Sequence, residues 1–162
     1  MSSVDREKLE EKIGEAMGLE MAAQKAVEEL SSKGLIPNHG LVKLQGMRKE
    51  AGNHQTEMED LVRKLSQSDG LDSTKIQEMA QETEQKASKM METYLGEHPD
   101  SQEALEFLCL AEGGEVTHYE VLSVMAKGIK NKQFSTKIKS ILNQEKKHLI
   151  LCTQLAKKNA LA

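Results

Sequence analysis

Apolar residues recur at intervals of three and four along five separate stretches of this chain, a spacing that predicts five amphipathic helices and no strand. Over 5–32 the stripe runs Leu9, Ile13, Ala16 and Met17, Glu20, Ala23, Val27 and Leu30. Over 40–66 it runs Leu44, Met47, Ala51, His54, Met58, Leu61 and Leu65. Ile76, Met79 and Ala80, Thr83, Ala87, Met90 and Tyr94 mark a third helix over 74–95, whose stripe holds no ionisable group to compare with Glu20 or His54. A fourth, from 101 to about 129, carries Leu105, Leu108, Ala111, Glu115, His118, Leu122, Met125 and Ile129. The last, about 134–158, carries Ile138, Ile141 and Leu142, Glu145, His148 and Leu149, Cys152 and Leu155.

Polar, Gly- and Pro-bearing segments separate the stripes: SSKGLIPNHG at 31–40, SQSDGLDS at 66–73 and GEHPDS at 96–101. Asp100 or Ser101 can cap the fourth helix, with Glu103 placed as in a capping box. The short 31–40 and 129–134 turns make two antiparallel hairpins. The simplest assembly is one all-α domain over 1–162: a four-helix bundle of 5–32, 40–66, 101–129 and 134–158, with the 74–95 helix lying across it in the long connection.

The stripes are interrupted by charge. Glu115-Val-Thr-His118 and Glu145-Lys-Lys-His148 are both Glu-x-x-His, in a chain with 5 His. Positions i and i+3 share a helix face, so each pair aims a carboxylate and an imidazole in one direction. Glu115 and His148 lie about 14 residues on either side of the 129–134 turn, and His118 and Glu145 about 11, which sets the two pairs opposite one another. Glu20 and His54 fall at similar heights in the other hairpin, flanked by Glu50 and Glu57. No Lys or Arg shares these positions. Several carboxylates buried at one level without a cation would cost several kcal/mol each or be forced to protonate, so a positive centre is expected between them. A pair of metal ions meets that need, and Glu with His suits iron or manganese better than zinc's thiolate-rich structural sites.

Composition narrows the alternatives. Aromatic residues are 2% of the chain and the formal net charge of -4 comes from interspersed Lys and Glu, so a nucleic-acid surface is not expected. No apolar run reaches the roughly 18 residues that span a bilayer, and MSSVDREKLEEK is charged where a signal peptide is apolar, which makes a cytoplasmic protein the expectation. Cys109 and Cys152 read as reduced core thiols rather than a redox motif. Gly14, Gly18 and Ala22 form a row of small residues open to a close helix contact or a dimer face. Gly113 and Gly114, just before Glu115, call for local space or a bulged turn.

With five helices, HQTE in the second and EVTHYEVLSVMA in the fourth, the chain resembles the ferritin-like di-iron carboxylate superfamily, and within it the YciF-like family of stress-associated bacterial proteins. The resemblance implies a ferritin-like fold, two iron or manganese ions, redox chemistry with oxygen or peroxide, and stress-associated function. By motif it carries ligand roles to Glu20, Glu115, Glu145 and His148. The second helix departs from the superfamily pattern, since it offers Glu50-x-x-x-His54-x-x-Glu57 and the residue three after Glu50 is Asn53. His54 and Glu57 fit the YciF-like pattern best, with Glu50 the alternative, and His118 is an additional imidazole, either a ligand or a partner that orients one. A homodimer is the expected assembly. The competing expectation is a non-catalytic helical interaction protein whose Glu/His layer only fixes helix register.

Overall fold

A computed structural model describes residues 5–162. They form α1 (Arg6–Ser32), α2 (Asn38–Asp69), α3 (Ser73–Leu95), α4 (Ser101–Ala126) and α5 (Lys132–Ala160), with no strand among the described residues. Short polar side chains start four of the five helices. Asp5 accepts hydrogen bonds from the backbone N–H groups of Glu7 and Lys8, Asp72 from Lys75, Asp100 from Glu103 and Asn131 from Phe134. Gly34, Gly70 and Gly96 take φ near 70° just past the ends of α1, α2 and α3, a conformation open to glycine without a Cβ penalty.

Each helix runs antiparallel to the next. Facing pairs establish the register: Arg48 meets Glu28 across α1 and α2, Met47 meets Cys152 across α2 and α5, Gln102 meets the Ala156 carbonyl across α4 and α5, and His118 meets Glu15 across α1 and α4. The sequence α1, α2, α5, α4 and back to α1 therefore encloses one interior with antiparallel neighbours throughout, an arrangement compatible with a four-helix bundle carrying one extra helix. No helix of the described residues is long and apolar enough to cross a membrane.

The extra helix does not lie across the others. α3 runs alongside α1 and parallel to it, Lys75 meeting Glu7 near the start and Met79 and Thr83 packing over Gly14 and Gly18. A Cβ on Gly14 would stand 2.6 Å from the Met79 Cβ and 2.8 Å from the Ile76 carbonyl oxygen, so this approach depends on glycine. The row of small residues thus serves a contact within the chain. The inward face of α3 is Ile76, Ala80, Glu84, Met91 and Leu95, one position round from the expected stripe, and it does include a carboxylate. Glu84 is buried and ion-paired to Lys25 of α1, while Met90 and Tyr94 face solvent.

The apolar interior falls into two parts. Leu9, Ile13, Met17, Met58, Leu65, Leu122, Phe134 and Ile138 form one, and Val27, Leu30, Leu44, Met47, Leu105, Leu108, Cys152 and Leu155 the other. Between them, at mid-height, stand buried carboxylates and imidazoles.

Candidate metal centre

All four enclosing helices feed this layer. α1 supplies Glu20, α2 His54, α4 Glu112 and Glu115, and α5 Glu145 and His148, each no more than 5% exposed. Helix periodicity produces the set. On α4, Leu105, Leu108, Glu112, Glu115, Tyr119, Leu122 and Ala126 alternate three and four apart on one buried face, so the two carboxylates occupy core positions and must point inward. On α5 the same rule turns Glu145 and His148 inward between Leu142 and Cys152.

Glu145 stands at the centre. Its Oε1 lies 2.8 Å from His54 Nδ1 and its Oε2 3.5 Å from His148 Nδ1. His54 Nδ1 is also 3.1 Å from Glu20 Oε2, and His148 Nδ1 is 3.9 Å from Glu112 Oε2. Two groups result, Glu20–His54–Glu145 and Glu112–Glu145–His148, in each of which one donor atom per residue lies within 4.8 Å of the others. Glu145 belongs to both, and the two rings stack with centroids 5.9 Å apart. Glu145 thus turns Oε1 to His54 and Oε2 to His148, and either group could hold a metal ion.

Neighbouring groups fix the orientation of the donors. The Tyr119 hydroxyl donates to Glu20 Oε2 at 2.8 Å. Gln144 Oε1 faces His54 Nε2, so that nitrogen is held as N–H and Nδ1 is the atom left for the layer. Glu50, half exposed, sits 2.6 Å from His148 Nε2 through its Oε2 and acts likewise on the second ring.

Charge is the dominant feature of the layer. Burial, reinforced by the Glu145 carboxylate, raises Glu20 from 4.5 to about 8. Burial together with neighbouring carboxylates pushes Glu112 and Glu115 well above the usual carboxyl range. Burial opposes ionisation of His54, but hydrogen bonds to Glu145 and Glu20 outweigh it and raise the ring to about 11. Burial also works against the Glu145 carboxylate, yet the His148 ring beside it and the hydrogen bond with His54 hold it well below the ordinary value. His54 therefore holds a second proton more tightly than a free imidazole does, and Glu20, Glu112 and Glu115 hold theirs more tightly than free carboxyls do. The compensation is incomplete: Glu20 Oε1, Glu112 Oε2, Glu115 Oε2, Glu145 Oε2 and His148 Nδ1 are buried without a hydrogen-bond partner. Oxygen-rich donors with two imidazoles and orphaned lone pairs could hold a metal ion.

Of the residues singled out in the sequence, Glu20, His54, Glu115, Glu145 and His148 meet here, with Glu50 at the edge. Glu57 and His118 are not brought to the layer. Glu57 is 3.8 Å from Lys137 on the outer surface, and His118 bonds the Gly114 carbonyl and Glu15 Oε2 between α4 and α1. In each case the next residue in the chain, Met58 or Tyr119, takes the inward position and is fully buried. Glu112, Tyr119 and Gln144 were not singled out from the sequence; Glu112-x-x-Glu115 on α4 is the spacing that carries the first. Cys109 and Cys152 are free thiols, with Cys152 Sγ 3.6 Å from Met47 Sδ. α4 is unbroken at Gly113 and Gly114, and no atom crowds either. Comparison with family models, with characterised proteins and with solved structures finds no match to this chain.

Proposed function

We propose that the chain is a ferritin-like dinuclear metal protein, holding two iron or two manganese ions between Glu20, His54, Glu112, Glu115, Glu145 and His148. The observation that carries the reading is Glu145, whose two oxygens face two separate donor groups inside a layer that keeps five polar atoms unpartnered. Held by these residues, a pair of redox-active ions would supply electron-transfer chemistry toward dioxygen or peroxide. The chain's own part is to hold and release the protons: Glu20 and the two α4 carboxyls must lose theirs as metal enters, and His54 must surrender the proton on Nδ1. Gln144 and Glu50 hold the two rings from the far side during that exchange. A cytoplasmic, stress-associated homodimer that meets oxygen or peroxide belongs to the same proposal.

The test is metal analysis of protein purified without chelator, followed by anaerobic reconstitution with Fe(II) or Mn(II). About two ions per chain are expected, and none after reconstitution would sink the proposal. A second reading has one observation in its favour: a His54 imidazolium between Glu20 and Glu145 already forms a hydrogen-bonded network without an ion. Under that reading the layer fixes helix register alone, and chelation leaves stability unchanged.

A further inference from the structure

Leu19, Ala87, Phe107 and Ala111 line two adjoining hollows between α1, α3 and α4. The outer one is a surface groove of ≈ 490 Å³ whose wall includes Met90 and Leu110, 63% and 57% exposed. The inner one is a crevice of ≈ 40 Å³ that reaches inward to Glu115. Their origin lies in the row that begins with Gly14 and Gly18. Where those glycines face α3 the helices touch, and farther along, where Ala22 and Ala26 face Ala87 and Met91, the small side chains leave the gap unfilled.

Resting on the dinuclear reading above, we propose that this crevice is the route by which a small uncharged molecule, of the size and polarity of dioxygen, reaches the Glu115 side of the layer. Glu115 is 2% exposed, lines the inner crevice, and keeps Oε2 without a partner. The inner walls are mostly apolar. Lys25 and Glu29 also line the crevice, but Lys25 is held by Glu84 and Glu29 by Lys33. Glu15, Lys86 and His118 line the outer groove. In the inner crevice Ser88 is the one polar side chain besides Lys25, Glu29 and Glu115, so an ion would lose most of its water for little in exchange, whereas an apolar diatomic loses nothing. The crevice exceeds the roughly 10–15 Å³ that a single water-sized body needs. Ions have a different approach on the opposite side, where half-exposed Glu50 reaches from solvent to His148. Ala111 and Ala87 are, with Leu19 and Phe107, common to both hollows, and as the two small side chains of the four they are where added bulk would narrow the passage.

Xenon serves as the probe, with Ala111→Leu and, on the outer helix, Ala87→Leu as blocking variants and Thr117→Leu on the exposed side of α4 as control. In metal-free wild type, xenon pressure is expected to shift the amide signals of Ala22, Ala87 and Glu115 to saturation, and either blocking variant to abolish the shifts. Loaded anaerobically with Fe(II), the blocking variants are expected to take up the same number of ions as wild type and to be oxidised by dissolved dioxygen on the order of tenfold more slowly, equivalent to about 1.4 kcal/mol in the barrier. Absence of xenon shifts at these residues, or an unchanged oxidation rate in a variant that no longer binds xenon, overturns the route. Failure of wild type to take up metal overturns the dinuclear centre and the route with it, and the ion count tells that failure from a wrong path.

Discussion

The hydroxyl of Tyr119 on α4 donates to the Glu20 carboxylate on α1 at 2.8 Å, with both side chains fully buried. This bond ties the two hairpins together across the layer. Tyr119→Phe keeps the ring and removes the donor, leaving Glu20 Oε2 with His54 alone and Oε1 still unpartnered in the interior, at a cost of about 1–3 kcal/mol. The fall in chemical-denaturation midpoint measures it. An unchanged midpoint would show that the hydroxyl contributes nothing to holding Glu20.

Glu145 is the shared member of both donor groups, so under the dinuclear proposal Glu145→Ala is expected to take up neither ion rather than one. Melting with excess Fe(II) or Mn(II), and again with chelator, reads this directly. A metal-dependent rise in wild type that vanishes in the variant supports the bridging role. Equal melting of wild type in both conditions counts against any metal role for the layer.

Acidity separates the metal-free from the loaded protein. Glu20 is raised to about 8 and His54 to about 11, so the folded chain holds these protons more tightly than the unfolded chain does. The stability they contribute is complete below their unfolded values, near 4.5 for Glu20 and 6.5 for His54, and is lost as pH climbs through about 8 and then about 11. Glu145, held low, has the opposite sign, but its contribution fades only as pH falls below 4.5. With chelator present, the urea midpoint should therefore fall between about pH 5.5 and pH 8. Metal binding must displace the same protons, so the gain from added metal should grow over that interval. A chelated protein that becomes more stable with rising pH would contradict this charge assignment.

Two glycine substitutions should act in opposite directions. A Cβ on Gly18 meets the Ala80 carbonyl group and would lie 2.7 Å from the Thr83 Cβ, so Gly18→Ala must push α3 off α1 and is expected to cost about 1–3 kcal/mol despite alanine's better helix propensity. At Gly113 nothing lies within 4 Å, and Gly113→Ala should gain roughly 0.5–1 kcal/mol. Thermal melting of the two variants tests the α1–α3 contact in isolation from the metal layer.

The thiols give a direct check on packing. Both cysteines are free, and burial raises the Cys109 thiol and, more strongly, that of Cys152. Non-reduced, unfolded protein should yield two titratable thiols, and in the folded state Cys109 should react well before Cys152. A disulfide in the unfolded protein would contradict the arrangement.

Much of this was legible from periodicity. The five helices and the mid-height meeting of Glu20, His54, Glu115, Glu145 and His148 follow from three-four spacing and hairpin register, and of the two cap candidates Asp100 and Ser101 it is Asp100 that caps α4. What spacing leaves open is phase. On α4 the series Leu108, Ala111, Glu115, His118, Leu122 and the series Leu108, Glu112, Glu115, Tyr119, Leu122 fit the same intervals. The second is the one buried, because it places the large Tyr119 ring in the core and leaves His118 at the rim. A one-position ambiguity of this kind hid Glu112 and Tyr119, favoured His118, and on α3 concealed Glu84 behind Thr83. Gln144 lay beyond reach for another reason: its position matters only because His54 of a distant helix presents Nε2 to it.

The division of the apolar interior into two parts has a mechanical consequence. Five helices long enough to run from end to end are packed by apolar contact at the two ends and by proton-dependent contact at the waist. Each end can then open on its own, and the amides of the Leu9–Phe134 end and of the Leu44–Leu155 end should exchange with solvent deuterium at separate rates in the metal-free protein. A pair of ions at the waist would rivet the ends together, converting two semi-independent openings into one and making slow, uniform exchange a signature of the loaded molecule.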